Sequence, residues 1–177
     1  MRAVYRLNDR KALEVILWFA SRKPQIDFHK LLKLLFFADK YHLNRYGRPI
    51  VGGTYGADQY GPVCRQVYRI LTGDPLFIEA LERNGALPFR VVHNYRVEAE
   101  RDANMRVLSE SDVEALSFAL KEYGERSFDE LTELSHEEEA YLRAGGGPMR
   151  YEDFLEETPD RKERAADLAD VARYAVL

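Results

Sequence analysis

From Phe28 to Tyr46 the chain reads as one long helix, apolar on most of its surface, with a carboxylate and an imidazole set where the pattern asks for hydrocarbon. Phe28, Leu32, Leu35, Asp39, His42 and Tyr46 share one stripe at alternating spacings of four and three. Leu31, Leu34 and Tyr41 form a second, and Lys30, Lys33, Lys40 and Asn44 read as cover for much of the rest. Asp27 offers a side-chain cap at the start, and Gly47 with Pro49 stops the helix. A helix this apolar must run through the middle of a core, so the other segments have to surround it.

They carry the means to do so. Residues 9–23 form a helix capped by Asn8 or Asp9 and ended by Pro24, with Ala12, Val15, Ile16, Phe19 and Ala20 on one face. Residues 50–62, with four glycines among β-branched and aromatic residues, read as a short strand or extended segment. Pro62 suits the first turn of a helix over 63–71. Phe89 and Val91, then Tyr95 and Val97, alternate with polar residues and predict a two-stranded hairpin within 87–100. Ser109 with Asp112 opens a helix that runs to Tyr123. Ser127 with Glu130 opens another, to about Leu134, and Ser135 with Glu138 a third, to about Arg143. Gly145-Gly146-Gly147-Pro148 is the one flexible break, followed by a helical fragment over 151–157 and a final helix over 160–176. The expected class is mainly α (α+β), a compact helical domain with a small antiparallel β element. Its expected division is a domain over 1–144 and a helical extension over 145–177.

Charge and composition narrow the function. Lys and Arg number 26 against 30 Asp and Glu, a net charge of −4, and Arg90, Arg96, Arg101 and Arg106 alternate with Glu98, Glu100 and Asp102. That mixture reads as a solvated surface, so nucleic-acid binding is not expected. The single cysteine, Cys64, cannot form an internal disulfide and reads as a small core residue. No stretch approaches the roughly 18 uncharged apolar residues that would cross a bilayer, and no membrane role is expected; the expected location is cytoplasmic.

Signatures of catalysis are sparse. No phosphate-cradling glycine loop and no Gly-x-Ser-x-Gly turn occurs. His136-Glu137-Glu138-Glu139-Ala140 has alanine where a zinc-protease helix needs its second histidine, and reads as an acidic helix start. Asp39 and His42, three apart on one face, fit a buried Asp–His hydrogen bond, half of a metal site, or an acid–base pair. No spacing selects further ligands, and no metal or other cofactor is expected.

The stretches Lys30-Leu31-Leu32-Lys33-Leu34-Leu35-Phe36-Phe37-Ala38-Asp39-Lys40-Tyr41-His42-Leu43, Tyr46-Gly47-Arg48-Pro49-Ile50, Tyr60-Gly61-Pro62-Val63 and Leu134-Ser135-His136-Glu137-Glu138 together resemble the Panacea domain family, SocA-like antitoxins of bacterial and phage toxin–antitoxin pairs. The resemblance spans about residues 13–142. The family usually has a tryptophan shortly after the His-Glu pair, where this chain has Tyr141. The resemblance implies a mainly helical, non-enzymatic domain that neutralises a cognate protein toxin by binding it, with some members thought to hand the toxin to a protease.

On this basis Asp39, His42, Tyr60, Gly61, Pro62, His136 and Glu137 are expected to gather into a polar knot that fixes how the extended segment and the later helices dock on the central pair. Because antitoxins of unrelated toxins share these motifs, the knot should serve the fold, and partner choice should lie on 75–84, on 90–101 and beyond Gly145. Two other functions compete: a metal-dependent or acid–base hydrolase using Asp39, His42 and His136, and a phage-related adaptor without a toxin.

Overall fold

The computed structural model describes residues 2–82, 86–175 and 177. Asn8 Oδ1 accepts the Lys11 N–H at 2.9 Å and opens α1 (Asp9–Arg22), which stops just before Pro24. After β1 (Ile26–Asp27), Asp27 Oδ1 accepts the Lys30 N–H at 2.8 Å to start α2 (Phe28–Tyr46). Gly47 closes it at φ +73°, its N–H returning to Leu43 O. Every side chain of α2 from Leu31 through Asp39 is buried, so α2 is the axis of the core. Lys33 is therefore not surface cover: it is enclosed with the leucines.

The extended segment folds into a hairpin, β2 (Tyr55–Asp58) against β3 (Gly61–Cys64), with Ala57 opposite Pro62. Pro62 thus sits in a strand and not in a helix. The Arg65 N–H bonds Thr54 O at 2.8 Å, which carries the ladder on and delays α3 to Arg65–Leu71. A further helix, α4 (Pro75–Glu82), occupies most of the 75–84 stretch where partner choice is expected to lie; the rest of it, 83–84, lies outside the described residues. β4 (Phe89–Val92) and β5 (Arg96–Ala99) form the expected hairpin, and β1 extends it to a sheet ordered β1–β5–β4 with Ile26 opposite Val97. Tyr95 falls in the turn, not in a strand, with Asn94 and Tyr95 both left-handed at φ +61° and +54°.

Capping boxes at Ser109–Asp112 and Ser127–Glu130 open α5 (Glu110–Tyr123) and α6 (Phe128–His136). Ser135 is not a third cap. It lies buried inside α6, its Oγ donating to Thr132 O, and α7 (Glu139–Ala144) starts after Glu138 without a side-chain cap. α5 and α6 both pack on α2, and Phe37 stacks on Tyr123 with ring centroids 4.0 Å apart.

Beyond α7 the chain turns back over the hairpin. The Ala57 N–H bonds Gly147 O at 3.0 Å and the Met149 N–H bonds Tyr55 O at 2.9 Å, so the Gly-rich stretch serves as a rung on the free edge of β2. A 3-10 turn (Tyr151–Phe154) then buries Phe154 edge-on against Phe36, at 5.2 Å. α8 (Arg161–Tyr174) adds Leu168 to the core, and residue 176, expected at its end, lies outside the described residues. The mainly helical class with small antiparallel sheets is thus the observed one.

Candidate functional site

Asp39 and His42 lie on neighbouring turns of α2 but take different partners, and no hydrogen bond joins them among the described residues. Asp39 Oδ1 accepts the Ile50 N–H at 2.7 Å, and Oδ2 accepts the Tyr55 hydroxyl at 2.8 Å. Burial pushes the Asp39 carboxyl up to about 7, against the pull of those donors. His42 Nδ1 lies 2.7 Å from Arg48 O; a carbonyl can only accept, so Nδ1 carries the hydrogen and Nε2 accepts from the Ser111 hydroxyl at 2.9 Å. Asp112 Oδ1 is 3.3 Å from the same Nε2, but burial outweighs it and keeps the imidazole below its ordinary range.

Asp112 is itself a node. It is buried, caps α5 through the Ser109 N–H, and meets Lys11 Nζ at 3.0 Å and Arg48 Nη2 at 3.3 Å. Burial works to raise its pKa, but the Ser109 and Lys11 donors bring it below the carboxylate norm. The sequence marked Asp112 as a capping residue; its two cationic partners come from distant segments and left no local signal.

The other expected members stand apart from both. Gly61 has φ +102°, and a Cβ there would collide with Ser135 Oγ and stand 2.7 Å from Lys33 Cε, so only glycine lets the hairpin come this close to α2 and α6. Pro62 O accepts from Lys33 Nζ at 3.0 Å. His136 stacks on Tyr141 at 4.4 Å, its Nε2 without a hydrogen-bond partner among the described residues, and Glu137 is exposed. Asp39, His42, Gly61 and Pro62 therefore form several separate joints between α2 and its neighbours, and the motif residues do not gather into one knot. Among the described residues no three of His, Cys, Asp and Glu are grouped to hold a metal ion. Cys64 is buried, its thiol pushed up to about 12 by that burial.

Tyr60 leads elsewhere. It is half-exposed on the β2–β3 turn, edge-on to Phe128 at the start of α6, and Phe128 in turn stacks on His29 at 3.9 Å. Tyr68 of α3 and Tyr95, 72% exposed at the tip of the β4–β5 hairpin, complete the walls of a groove of about 700 Å³ with Lys33 on its lining. Tyr95 is tied down by its own carbonyl, which accepts the Phe28 N–H at 3.0 Å, and its ring packs 5.7 Å from that of Phe28. Half-exposed aromatic rings from four elements around one depression are the composition of a protein-binding surface. Burial also holds His29 at about 4, so it adds no charge there near neutral pH. Only Tyr60 of these rings was singled out by the sequence. Tyr68, Tyr95 and Phe128 are separated along the chain and meet only through the topology.

Among the described residues no helix is long and apolar enough to cross a membrane. A family model described as antitoxin SocA-like, Panacea domain, matches residues 31–141, which takes in most of α2, both hairpins, α5, α6 and most of the groove lining. No curated protein and no solved structure matches the chain.

Proposed function

The chain belongs to the SocA-like Panacea antitoxin family, and from that premise we propose that it neutralises a cognate protein toxin in the cytoplasm by binding it directly, without making or breaking a bond. The observation that carries this reading is the groove ringed by Tyr60, Tyr68, Tyr95 and Phe128. Half-exposed tyrosine and phenylalanine are costly to leave in water and favourable to cover with a partner. Asp39 and His42, the strongest candidates for acid–base work, have their polar atoms engaged in bonds that join elements of the fold. That arrangement supports a structural role for them over a hydrolytic one. Hand-over of the captured toxin to a protease is a second step of the same proposal.

The test is co-expression. Each small reading frame found adjoining the gene is expressed alone and with this protein; for one of them, growth arrest alone, relief in the pair, and co-elution of the two chains are expected. Replacement of Tyr60 and Phe128 by Ala should lose both relief and co-elution while the fold persists. Relief without co-elution, or relief untouched by the groove substitutions, overturns direct binding at this surface. A shorter toxin half-life in co-expressing cells tests the protease step.

A further inference from the structure

Two carboxylates line the aromatic groove, and each stands beside an exposed tyrosine. Asp27 precedes Phe28, whose N–H is held by the Tyr95 carbonyl, and Asp58 ends β2 two residues before Tyr60. Asp27 is the less committed of the two. Its Oδ1 accepts the Lys30 N–H, an uncharged donor, and Oδ2 has no hydrogen-bond partner among the described residues. No ion pair engages Asp27 among those residues either. Arg96, opposite it in the β1–β5 ladder, forms none with it, and the Lys30 ammonium bonds the Gly124 carbonyl at 3.0 Å. Asp58, by contrast, is paired through Oδ1 with Arg65 Nη2 at 2.6 Å.

The basic groups on the same lining do not answer Asp27. Lys33 has only 1% of its surface exposed and donates to the Pro62 carbonyl, so it presents no ammonium to a docking molecule. Burial holds His29 at about 4, and its ring is neutral near pH 7. The positive end of the α2 dipole offsets only about half of an elementary charge. An arriving side chain therefore meets a carboxylate without a cationic partner, set next to exposed ring faces.

We infer that the groove takes an arginine side chain of the partner, its guanidinium donating to Asp27 and lying against the exposed rings beside it. This rests on the reading of the groove as the partner surface and names the chemistry of what enters it. The face of an aromatic ring is the negative end of its quadrupole and attracts a cation. A guanidinium suits such a site better than an ammonium. It is planar and stacks on a ring, it is more weakly hydrated and leaves water more readily, and its forked N–H groups match a carboxylate. Its hydrocarbon stem can at the same time cover apolar surface of the kind that Phe128 offers.

The test titrates the full ¹⁵N-labelled chain with three probes, the acetyl methylamides of arginine, of citrulline (a neutral side chain of the same shape) and of glutamate. The arginine probe is expected to shift the amides of Phe28, Gln59, Tyr60 and Tyr95 and to bind about fivefold tighter than the citrulline probe. Asp27→Asn keeps an oxygen to cap α2, so it should fold as wild type does, and it should bring the two probes close to parity. If the variant fails to fold, the three-probe comparison on wild type still decides. Equal binding by citrulline, tighter binding by glutamate, an undiminished arginine preference in folded Asp27→Asn, or no shift in the groove at tens of millimolar probe overturns the inference. The titration uses no toxin: a chain that prefers the arginine probe yet relieves no toxicity keeps this inference and loses the proposed function, and the opposite pair of results does the reverse.

Discussion

Tyr55 donates its phenolic hydrogen to Asp39 across 2.8 Å, and so fastens the first strand of the β2–β3 hairpin to the central helix from inside the core. The other carboxylate oxygen holds the Ile50 N–H, so one side chain fixes two points of the segment leading into that hairpin. An apolar residue at position 39 would satisfy neither donor, which explains why the helical pattern is interrupted there.

Asp39→Ala is expected to cost about 3 kcal/mol in urea unfolding, because it strands two buried donors as well as leaving a cavity. Asp39→Asn, which keeps an acceptor for Ile50, should cost about 1 kcal/mol. The two also differ in pH dependence. The folded carboxyl titrates at about 7 against an ordinary 3.8, so between these values the folded chain binds more protons than the unfolded one. The Asp39 contribution is thus fully present below about pH 4, falls as the pH rises to about 7, and is flat above. Subtracting the Asn variant's stability curve from that of wild type should isolate this fall; a difference that rises with pH would refute it.

Two glycines with positive φ separate strain from crowding. At Gly47 a Cβ would meet open space, so Gly47→Ala is expected to cost about 1 kcal/mol from backbone conformation alone. At Gly61 the same methyl would also collide with Ser135 and crowd Lys33, and Gly61→Ala should cost about 3 kcal/mol. Thermal unfolding of the two variants side by side provides the comparison, and equal losses would show that the hairpin can back away from α6.

His29 should remain neutral at pH 5. Burial comes first among the causes that hold it at about 4, with Lys33 adding to it. Since the folded pKa lies below the ordinary 6.5, its contribution to stability is present above pH 6.5 and is lost as the pH falls towards 4. Titration of its ring resonances by NMR is the measurement. Phe128→Ala, which removes the stacked ring, should move the midpoint upward.

A chain ending at Ala144 is expected to lose cooperative unfolding. The segment beyond it buries Met149, Tyr151, Phe154, Leu155 and Leu168 in the common core. At roughly 1.5–3 kcal/mol for each large apolar side chain, that loss rivals the 5–15 kcal/mol by which a whole domain is stable. Circular dichroism during heating would settle it, and a sharp transition in the shortened chain would speak for an autonomous unit over 1–144.

What could be read in advance follows the range of the interaction. Helix starts at Asn8, Asp27, Ser109 and Ser127 were legible because a cap and the backbone N–H that donates to it lie within three residues. Ser135 carried the same local signal, but its hydroxyl turns back to Thr132 because the preceding helix runs on through it. Lys33 read as surface cover, since nothing in the order of residues says that the Pro62 carbonyl will come to meet it. Asp39 and His42 were rightly marked as unusual, but their partners, Tyr55 and Ser111, sit on separate elements. The joints of the fold were thus visible one half at a time, and the groove, assembled from aromatic residues of several elements, was visible only through Tyr60.

The β2–β3 hairpin is held on one side by Asp39 and Lys33 and on the other by the backbone rungs from Gly147 and Met149. Its Tyr60 tip therefore offers an arriving molecule a preshaped wall, and whatever ordering accompanies docking falls on the newcomer. Among partners that use this wall, the lifetimes of the complexes should vary far more than the speed at which they form.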